Sequence, residues 1–438
     1  MRRKPRNLKI AFTDKAQTRF GGIYFFQECV GRLQLRDRLT HGLRDARVRT
    51  RYSGAQGILA ILSAVILGLN RLEAAYVLRS NGIFQSLTGL PRFPDPTTLR
   101  RLLADASLTG RDRLARLSDR LAVGLLQHAH PRSRLLLDLD STALLVYGDH
   151  EGARHAYTGR RRGVRSYEPL LAVEANSGLL WAAVHRAGGN PGASEVIPFL
   201  AHCWALMPTS VREVRVRADA SFYSADTLTW LEPQRAQYAI VARLTAPLKR
   251  RLVGLRYTAL SDHWAVAETD SHGSAWAARR RIIAVRKRLS DRDPQPTLFV
   301  RGRYAYHAYV TNLDLQPAAV WRFYNDRARL ELVIKELKYN YGLGHIPTHR
   351  FDANALYLQI LRLAYNLVLG FQALCLPPHW QRATLGRIRN EFFLLPAVLT
   401  RPQGRPTLRF PRHLPAREDC EYVLDALQRL PGPPVIPF

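Results

Sequence analysis

The chain has 438 residues, 47% of them hydrophobic, and its 65 lysines and arginines against 35 aspartates and glutamates give a formal net charge of +30. This length predicts roughly two to four folded domains, and so large a positive excess is hard to explain without a polyanionic partner. The four cysteines have no C-x-x-C spacing, which argues against a structural zinc site and against a disulfide framework.

The apolar stretches of the sequence do not predict a membrane protein. The start, MRRKPRNLK, is basic, but no apolar segment typical of a signal peptide follows it. The longest apolar run, at 57–69, is too short to span a bilayer and predicts a buried helix. With the scattered cysteines, these features predict a cytoplasmic protein that has no membrane partner.

Residues 1–130 are predicted to form an N-terminal helical domain that binds DNA. Helices are expected over 53–79 and 111–129, and between them Asp95 is placed to cap a helix whose first residue is Pro96. A short helix, a turn and a capped helix with a basic start are typical of a helix-turn-helix, but an ordinary helical bundle explains the same pattern.

Residues 131–244 change to an alternation of strands and helices. The patterns predict three strands, a helix, a strand, a helix and a strand, and therefore an α/β unit with a mixed sheet. The predicted elements are the strand in RLLLDLDSTALLVYG, a hairpin of 167–175 and 179–187, a helix over 193–207, a strand over 211–219 that runs into a helix, and a strand over 238–244.

Two of these strands carry aspartates at their ends. Asp138 and Asp140 lie two residues apart in the first strand and so share one of its faces, while Asp219 ends the fourth strand. A carboxylate at such a place is costly unless it is paired or bound to a cation. Phosphodiester chemistry uses two divalent ions about 4 Å apart, and hard ions such as Mg²⁺ prefer carboxylate oxygens.

The rest of the chain divides into three segments with different residue patterns. Residues 245–314 carry alternating and β-branched patterns that predict a β-rich insertion. Residues 315–376 contain two helical patterns and are predicted to complete the α/β core. Residues 377–438 form a proline-rich, basic C-terminal segment with one short helix near its end.

The stretch 321–338, WRFYNDRARLELVIKELK, is predicted to be one helix with two different faces. At about 100° per residue, one face gathers an aromatic ring, a carboxylate and three cations within an arc of about 80°. These residues are Tyr324, Arg327, Glu331, Lys335 and Lys338. A solvated face with ordinary i,i+4 ion pairs, such as one between Glu331 and Lys335, is the alternative interpretation.

The spacing Y-x-x-R-x-x-x-E-x-x-x-x-x-x-K resembles the Y-R-E-K signature of bacterial insertion-sequence transposases, which are DDE enzymes with a ribonuclease-H-like core. That core is a five-stranded mixed sheet with flanking helices and a β-rich insertion before the glutamate helix, so the resemblance fits the predicted element order over about 132–376. It implies a multidomain α+β or α/β protein in which an N-terminal α-helical domain precedes the core.

The resemblance also implies an activity and its partners. The enzyme is expected to bind the terminal inverted repeats of an insertion sequence and to catalyse metal-dependent DNA strand cleavage and strand transfer. Two Mg²⁺ ions are the expected cofactors, and Mn²⁺ is expected to substitute for them. The expected partners are double-stranded DNA, as transposon ends and target, and a second copy in a homodimer. The location is expected to be bacterial and nucleoid-associated.

Three carboxylates are implied to be catalytic and to hold the metal ions: Asp140, Asp219 and Glu331. Asp140 fits the family pattern better than Asp138 because Ser and Thr follow it, and Asp138 stays the alternative metal ligand. For Asp219 the alternative is a helix N-cap. In the family the tyrosine, arginine and lysine of the signature handle the DNA end, and Lys335 shares their predicted face.

Two further groups of residues are expected to contact DNA. Arg161, Arg162 and Arg165 lie in a basic loop close to the first strand, where phosphate contact and a solvated loop are the two interpretations. Tyr306 and His307 lie on a predicted strand of the β-rich insertion. Related transposases use an aromatic residue near this place to stack on an unpaired base, and the alternative is packing within the sheet.

Two other functions are compatible with the same sequence. A structure-selective nuclease with the same core would hydrolyse DNA but would lack strand transfer. A catalytically inactive regulator would bind DNA and use its carboxylates as caps and ion pairs. Three carboxylates in this order disfavour the regulator, because a simple DNA-binding protein has no need of them.

Overall fold

The computed structural model describes residues 16–44, 51–79, 81–90, 92–155, 164–271, 279–290 and 299–430. Their helices are α1 (Ile23–Arg32), α2 (Leu35–Gly42), α3 (Gly54–Ile66), α4 (Tyr76–Arg79), α5 (Gly82–Thr88), α6 (Pro96–Ala129), α7 (Ala193–Ala205), α8 (Ala225–Leu231), α9 (Ala246–Val253), α10 (Pro317–Asn325), α11 (Ala328–Tyr339), α12 (Phe351–Leu374), α13 (Leu385–Ile388) and α14 (Arg417–Arg429). Within these residues, no helix has both the length and the apolar character needed to cross a membrane.

The strands of the same residues are β1 (Gln17–Thr18), β2 (Arg134–Ser141), β3 (Leu144–Val146), β4 (Arg154–His155), β5 (Arg165–Tyr167), β6 (Leu170–Glu174), β7 (Leu180–Val184), β8 (Glu213–Ala218), β9 (Gln237–Val241), β10 (Thr258–Ala259), β11 (Trp264–Ser271), β12 (Arg280–Arg288), β13 (Phe299–Arg301), β14 (Tyr304–Thr311), β15 (Ala397–Thr400) and β16 (Thr407–Arg409). The predicted strand–helix order between residues 131 and 244 is therefore present, including the β6–β7 hairpin.

A mixed sheet forms the centre of the fold. Its strand order is β10-β11-β12-β14-β9-β8-β2-β6-β7, with β13 paired beside β14. Strand β2 is parallel to β8, β8 is parallel to β9, and the other neighbours in this order are antiparallel. Buried Leu135, Leu137 and Leu139 stabilise β2 within the sheet.

The five strands expected for the core are part of a larger sheet. The strands that were predicted to form a β-rich insertion extend the same sheet, because β14 pairs with β9 through Tyr309 and Val241. The pairing is antiparallel and joins segments that are far apart in the chain, so no local sequence pattern marks it. The sheet of the described residues therefore continues beyond β9 into the β-rich segment.

The N-terminal helices pack directly on the elements beside the sheet. Helix α6 begins as predicted, since the Thr98 N–H donates to the Asp95 carboxylate at 2.8 Å. It continues unbroken to Ala129, so residues 111–129 are helical as predicted but belong to the helix that begins at Pro96. The lone Gly110 costs only about 1 kcal/mol in a helix. Arg362 of α12 reaches α6 and pairs with Asp119 at 2.6 Å, where both side chains are buried.

Both ends of the described chain meet in a small sheet. Strand β15 pairs with β1 on one side and with β16 on the other. One hydrophobic cluster of buried residues runs from Phe20 to Leu427 and so crosses the predicted boundaries at 130 and 376. Those boundaries stay predictions. The last helix, α14, forms where the sequence predicted one.

Candidate functional site

Two aspartates stand side by side where neighbouring parallel strands end. Asp140 is the penultimate residue of β2, and Asp219 directly follows β8. Because Leu139 pairs with Ala218, Asp140 and Asp219 are the next residues in the parallel register. Parallel strands lie about 4.8 Å apart, so the two carboxylates emerge close together on one edge of the sheet.

Asp140 is largely buried, and charges of both signs surround it. The Ser141 N–H donates to its Oδ1 at 2.8 Å, and Arg327 Nη2 lies 3.2 Å from its Oδ2. Burial raises the pKa of Asp140 to about 6; the Arg327 charge opposes this rise, and the charges of Asp219 and Glu331 add to it. Both of the other predicted carboxylates therefore act electrostatically on Asp140 in the folded chain.

Asp219 caps a short turn while facing the same site. Its Oδ1 accepts the Ser221 N–H at 3.0 Å and also the Ser221 hydroxyl. The N-cap interpretation of Asp219 therefore holds in the structure. Among the described residues nothing donates a hydrogen bond to its Oδ2. Capping and a place in the carboxylate site are thus compatible, because each can use a different oxygen.

Asp138 is engaged in a buried ion pair. Arg217 donates from Nε to Oδ1 at 2.6 Å and from Nη2 to Oδ2 at 2.8 Å, and both side chains are almost fully buried. Arg217 also donates from Nη1 to the Phe323 carbonyl at 2.7 Å, which joins β8 to α10. Both Asp138 oxygens are therefore occupied by Arg217, whereas Asp140 receives a looser contact from Arg327.

The predicted single helix over 321–338 is interrupted. Helix α10 ends at Asn325 and α11 begins at Ala328. At this junction the hydrogen bonds tighten to i→i−3, since the Arg327 N–H donates to Tyr324 O and the Leu330 N–H to Arg327 O. The Arg327 side chain turns into the fold and donates to the Leu139 carbonyl at 2.6 Å. The five predicted residues consequently do not share one straight helix face.

These five residues differ strongly in their surroundings. The Tyr324 ring packs on Tyr309, with 4.5 Å between ring centroids. Glu331 lies in the first turn of α11 and is exposed. Lys335 is also exposed, and among the described residues it forms no ion pair with Glu331. Lys338 is half-buried, and its Nζ donates to the Ala143 carbonyl at 3.3 Å, just beyond β2.

Carboxylate oxygens are suitable ligands for a hard cation, although these carboxylates do not form a complete coordination site in the described residues. Across the described residues, no group of three or more His, Cys, Asp or Glu side chains is close enough to hold a metal ion. Asp140 and Asp219 nevertheless follow each other in the parallel register, and a bound cation would oppose the effect of the Asp219 charge on Asp140. Glu331 contributes charge to this site from an exposed position on α11.

A fourth carboxylate was missed by the sequence analysis. Glu168 lies two residues before β6, and the Thr142 N–H donates to the neighbouring Pro169 carbonyl at 3.4 Å, so Glu168 is beside the end of β2. Burial raises the pKa of Glu168, the charge of Arg186 opposes the rise, and the charge of Asp219 adds to it. A single glutamate next to a basic loop gives no sequence signal of this proximity.

The other residues predicted to contact DNA are either outside the described residues or in contact with the protein itself. Arg161 and Arg162 fall outside the described residues, and Arg165 in β5 pairs with Asp149 at 2.5 Å. Tyr306 is buried among other aromatic rings, which matches the sheet-packing alternative. His307 is half-buried, and burial lowers its pKa. Tyr306 and His307 are adjacent in a strand and so point to opposite faces.

A protein-family model of transposase DDE domains matches residues 2–432, which is nearly the whole chain, and places it among the DNA transposases. The chain belongs to the family described as Transposase DDE domain group 1. This family supports the DDE transposase prediction in general, while the narrower Y-R-E-K group stays a prediction. DDE transposases generally use divalent metal ions.

The other comparisons found more distant or no relatives. The chain is similar to a piggyBac transposase in a cryo-EM structure of its synaptic complex with hairpin DNA. The two are 11% identical with a TM-score of 0.46, and the likeness covers 97% of this chain and 88% of that chain. No curated protein has a significant match to the sequence.

Proposed function

We propose that this transposase binds the terminal inverted repeats of an insertion sequence and catalyses cleavage and strand transfer at Asp140, Asp219 and Glu331. One observation carries the proposal. Asp140 and Asp219 follow each other in register at the ends of two parallel strands, and the charge of Glu331 reaches Asp140 from α11. Asp138 is not part of this set, because Arg217 occupies both of its oxygens.

Two Mg²⁺ ions are the proposed cofactors, with Mn²⁺ as a substitute. When bound, they would activate the attacking water or hydroxyl and stabilise the leaving oxygen. Asp140 and Asp219 would hold them through adjacent carboxylate oxygens, and Glu331 would add a ligand from the start of α11. Arg327 supplies a fixed positive charge beside Asp140 and bonds the Leu139 carbonyl, so it holds the end of β2 against the α10–α11 junction.

We also propose that the sheet half β9-β8-β2-β6-β7 is a ribonuclease-H-like core. Its order, with β2 antiparallel to β6 and parallel to β8, supports this assignment. The Y-R-E-K spacing supports membership of the insertion-sequence group, although Arg327 and Lys338 contact the protein itself here. A homodimer on double-stranded DNA is proposed as the active assembly.

Purified full-length protein and DNA that flanks the reading frame test the function. Asp140→Asn, Asp219→Asn and Glu331→Gln should each abolish cleavage of this DNA with Mg²⁺ while leaving its binding unchanged. Asp326→Asn is a matched control, because Asp326 is an exposed carboxylate at the α10–α11 junction. Wild-type protein should also join the cleaved 3′ end to a second duplex.

The outcomes separate the proposal from its rivals. Cleavage that persists in Asp140→Asn or Asp219→Asn would contradict the carboxylate assignment. Cleavage without joining would favour a nuclease with the same core. Tight binding with neither step would favour a regulator that does not cut DNA.

A further inference from the structure

A basic surface lies between α2 and α6, and it shares no residue with the carboxylate site. This α2–α6 groove encloses about 790 Å³. Its basic lining residues are Arg38, His41, Arg44, Arg113, Arg116 and Arg120. Among the described residues, Asp37 is the single acidic residue that lines it. The groove is thus far more one-sided in charge than the chain as a whole.

The two helices of the groove are held together by specific contacts. Arg113 Nη1 donates to the Gly42 carbonyl at 3.0 Å, which joins α6 to the last residue of α2. Leu39 of α2 and Leu114 of α6 are buried beneath the charged side chains. The groove therefore has a packed floor, and its shape does not depend on a ligand.

The acidic residues of α6 near the groove are engaged by other partners. Asp112 pairs with Arg111 at 2.8 Å, and Asp119 pairs with Arg362 at 2.6 Å. Burial lowers the pKa of Arg38, and the nearby charge of Arg120 lowers it further. The charges of Arg38 and Arg120 therefore lie near each other in the groove, and Arg116 and Arg120 are exposed there.

We propose that the α2–α6 groove binds the sugar-phosphate backbone of duplex DNA, outside the carboxylate site. The proposal rests on the proposed function, which supplies DNA as the substrate. Single-stranded DNA is the less favoured ligand, because binding sites for single strands combine cations with aromatic stacking platforms. Among the described residues that line this groove, none is aromatic.

The spacing of the arginines suits a row of phosphates. Arg113, Arg116 and Arg120 follow one another at i, i+3 and i+7 on α6, so they project from neighbouring turns of one face. At about 1.5 Å per residue they span about 10 Å of the helix axis. Each strand of duplex DNA carries a phosphate about every 3.4 Å along its axis, so the exposed Arg116 and Arg120 can meet phosphates of one strand while Arg113 holds the Gly42 carbonyl.

The test is a salt titration of DNA binding by the full chain without divalent ions. The probe is a fluorescent duplex of arbitrary sequence, and the variant is Arg116→Gln with Arg120→Gln. Loss of two phosphate contacts should make the slope of log K against log salt shallower by about 1.8. Arg417→Gln with Arg429→Gln is the matched control, because it removes the same charge from α14 and should leave the slope nearly unchanged.

Several results would overturn the groove proposal. An unchanged slope in the groove variant would show that Arg116 and Arg120 do not contact phosphates. An equal change in the α14 control would show that the charge acts only through the whole protein. A larger loss for a single-stranded oligonucleotide than for the duplex would assign a different ligand. Arg116→Lys with Arg120→Lys keeps both charges, so it should restore the slope if the groove binds phosphates.

This experiment is independent of the carboxylate site. It involves no cleavage, so the groove proposal can fail while the catalytic proposal stands. Conversely, Asp140→Asn should bind the duplex with the wild-type salt slope even where it no longer cuts DNA. Melting temperatures of all variants confirm that each slope is measured on folded protein.

Discussion

Arg217 holds Asp138 through two hydrogen bonds, of 2.6 Å and 2.8 Å, between the neighbouring strands β2 and β8. Asp140 lies only two residues further along β2, yet its nearest cation, Arg327, is 3.2 Å from one oxygen. Two aspartates on one face of one strand thus have different surroundings. Asp138 is a structural ion pair, and Asp140 is left with an environment that favours an added cation.

The first prediction is that Asp138→Asn loses stability, whereas Asp140→Asn loses cleavage. Removing one partner of a buried ion pair costs about 3–5 kcal/mol, because the other charge is left buried and unpaired. Asp138→Asn should therefore lower the free energy of unfolding strongly, while Asp140→Asn should fold normally and not cut DNA. Urea unfolding and cleavage are measured on the same samples. A stable Asp138→Asn protein that has lost cleavage would move the metal site to Asp138.

The second prediction concerns pH. The pKa of Asp140 is raised from 3.8 to about 6 in the folded chain, so between these values the folded state binds more protons than the unfolded state. Stability therefore falls as pH rises from about 4 to about 6, and the loss, at most about 3 kcal/mol, persists at higher pH. In the metal-free protein, Asp140→Asn should remove this loss. The difference in the free energy of unfolding between Asp140→Asn and wild type should therefore grow from about pH 4 to about pH 6 and stay constant above pH 7.

Metal ions provide the control for this pH effect. A proton on Asp140 competes with a cation, so metal-dependent cleavage should weaken as pH falls through about 6. A higher metal concentration should move this acidic limb to lower pH. An acidic limb that does not respond to metal would assign the titration to another group.

The third prediction tests Glu168 as a positioning residue of the site. Glu168 and Glu195 both contact Arg186, at 3.6 Å and 2.9 Å, but only Glu168 has an electrostatic interaction with Asp219. Glu168→Gln should therefore raise the metal concentration needed for half-maximal cleavage. Glu195→Gln serves as the matched control and should leave it unchanged. If both variants behave alike, the role of Glu168 is only to hold Arg186.

The fourth prediction concerns Arg327. Its charge opposes the rise in the pKa of Asp140, so Arg327→Gln should raise that pKa further and move the acidic limb of cleavage to higher pH. Arg327→Lys keeps a charge and should shift the limb less. Arg322→Gln removes an exposed arginine from α10 and should not shift it. If Arg327 only binds a DNA phosphate, Arg327→Gln should weaken DNA affinity and leave the pH profile of cleavage unchanged.

The sequence predicted those parts of the site that follow from local patterns. The apolar runs before Asp140 and Asp219 mark strands, and strand ends meet at a sheet edge, so these two aspartates could be placed from sequence. The pairing of Arg217 with Asp138 joins residues 79 positions apart, and no periodicity encodes it. Glu168 was missed for the same reason, since it joins the site through the turn between β5 and β6.

The interruption between α10 and α11 is a second feature that the sequence pattern did not predict. The apolar period of Leu330, Val333 and Leu337 continues backwards through Phe323, so the pattern predicted one helix across Asp326 and Arg327. The break coincides with a tertiary contact, the Arg327 hydrogen bond to the Leu139 carbonyl, and no helical pattern contains such a contact. The extension of the sheet past β9 likewise depends on pairing between distant strands.

The last prediction separates Lys338 from Lys335, which lie on the same helix with equal charge. Lys338 is half-buried and donates to the Ala143 carbonyl at 3.3 Å, so it ties α11 to the segment that leaves β2. Lys335 is exposed and can act on DNA only through its charge. Lys335→Ala should make DNA binding slightly less salt-dependent, with normal melting and normal cleavage at saturating DNA.

Lys338→Ala should lower the melting temperature by a few degrees and also reduce cleavage at saturating DNA, because α11, which carries Glu331, would lose its hydrogen bond to the segment that follows β2. A fall in melting temperature without any loss of cleavage would make Lys338 a purely structural residue. Equal effects of the two alanine variants on salt dependence alone would mean that the Ala143 contact opens when DNA binds. Both lysines would then contact the DNA end, Lys338 as the signature implied and Lys335 as its neighbour on the predicted face.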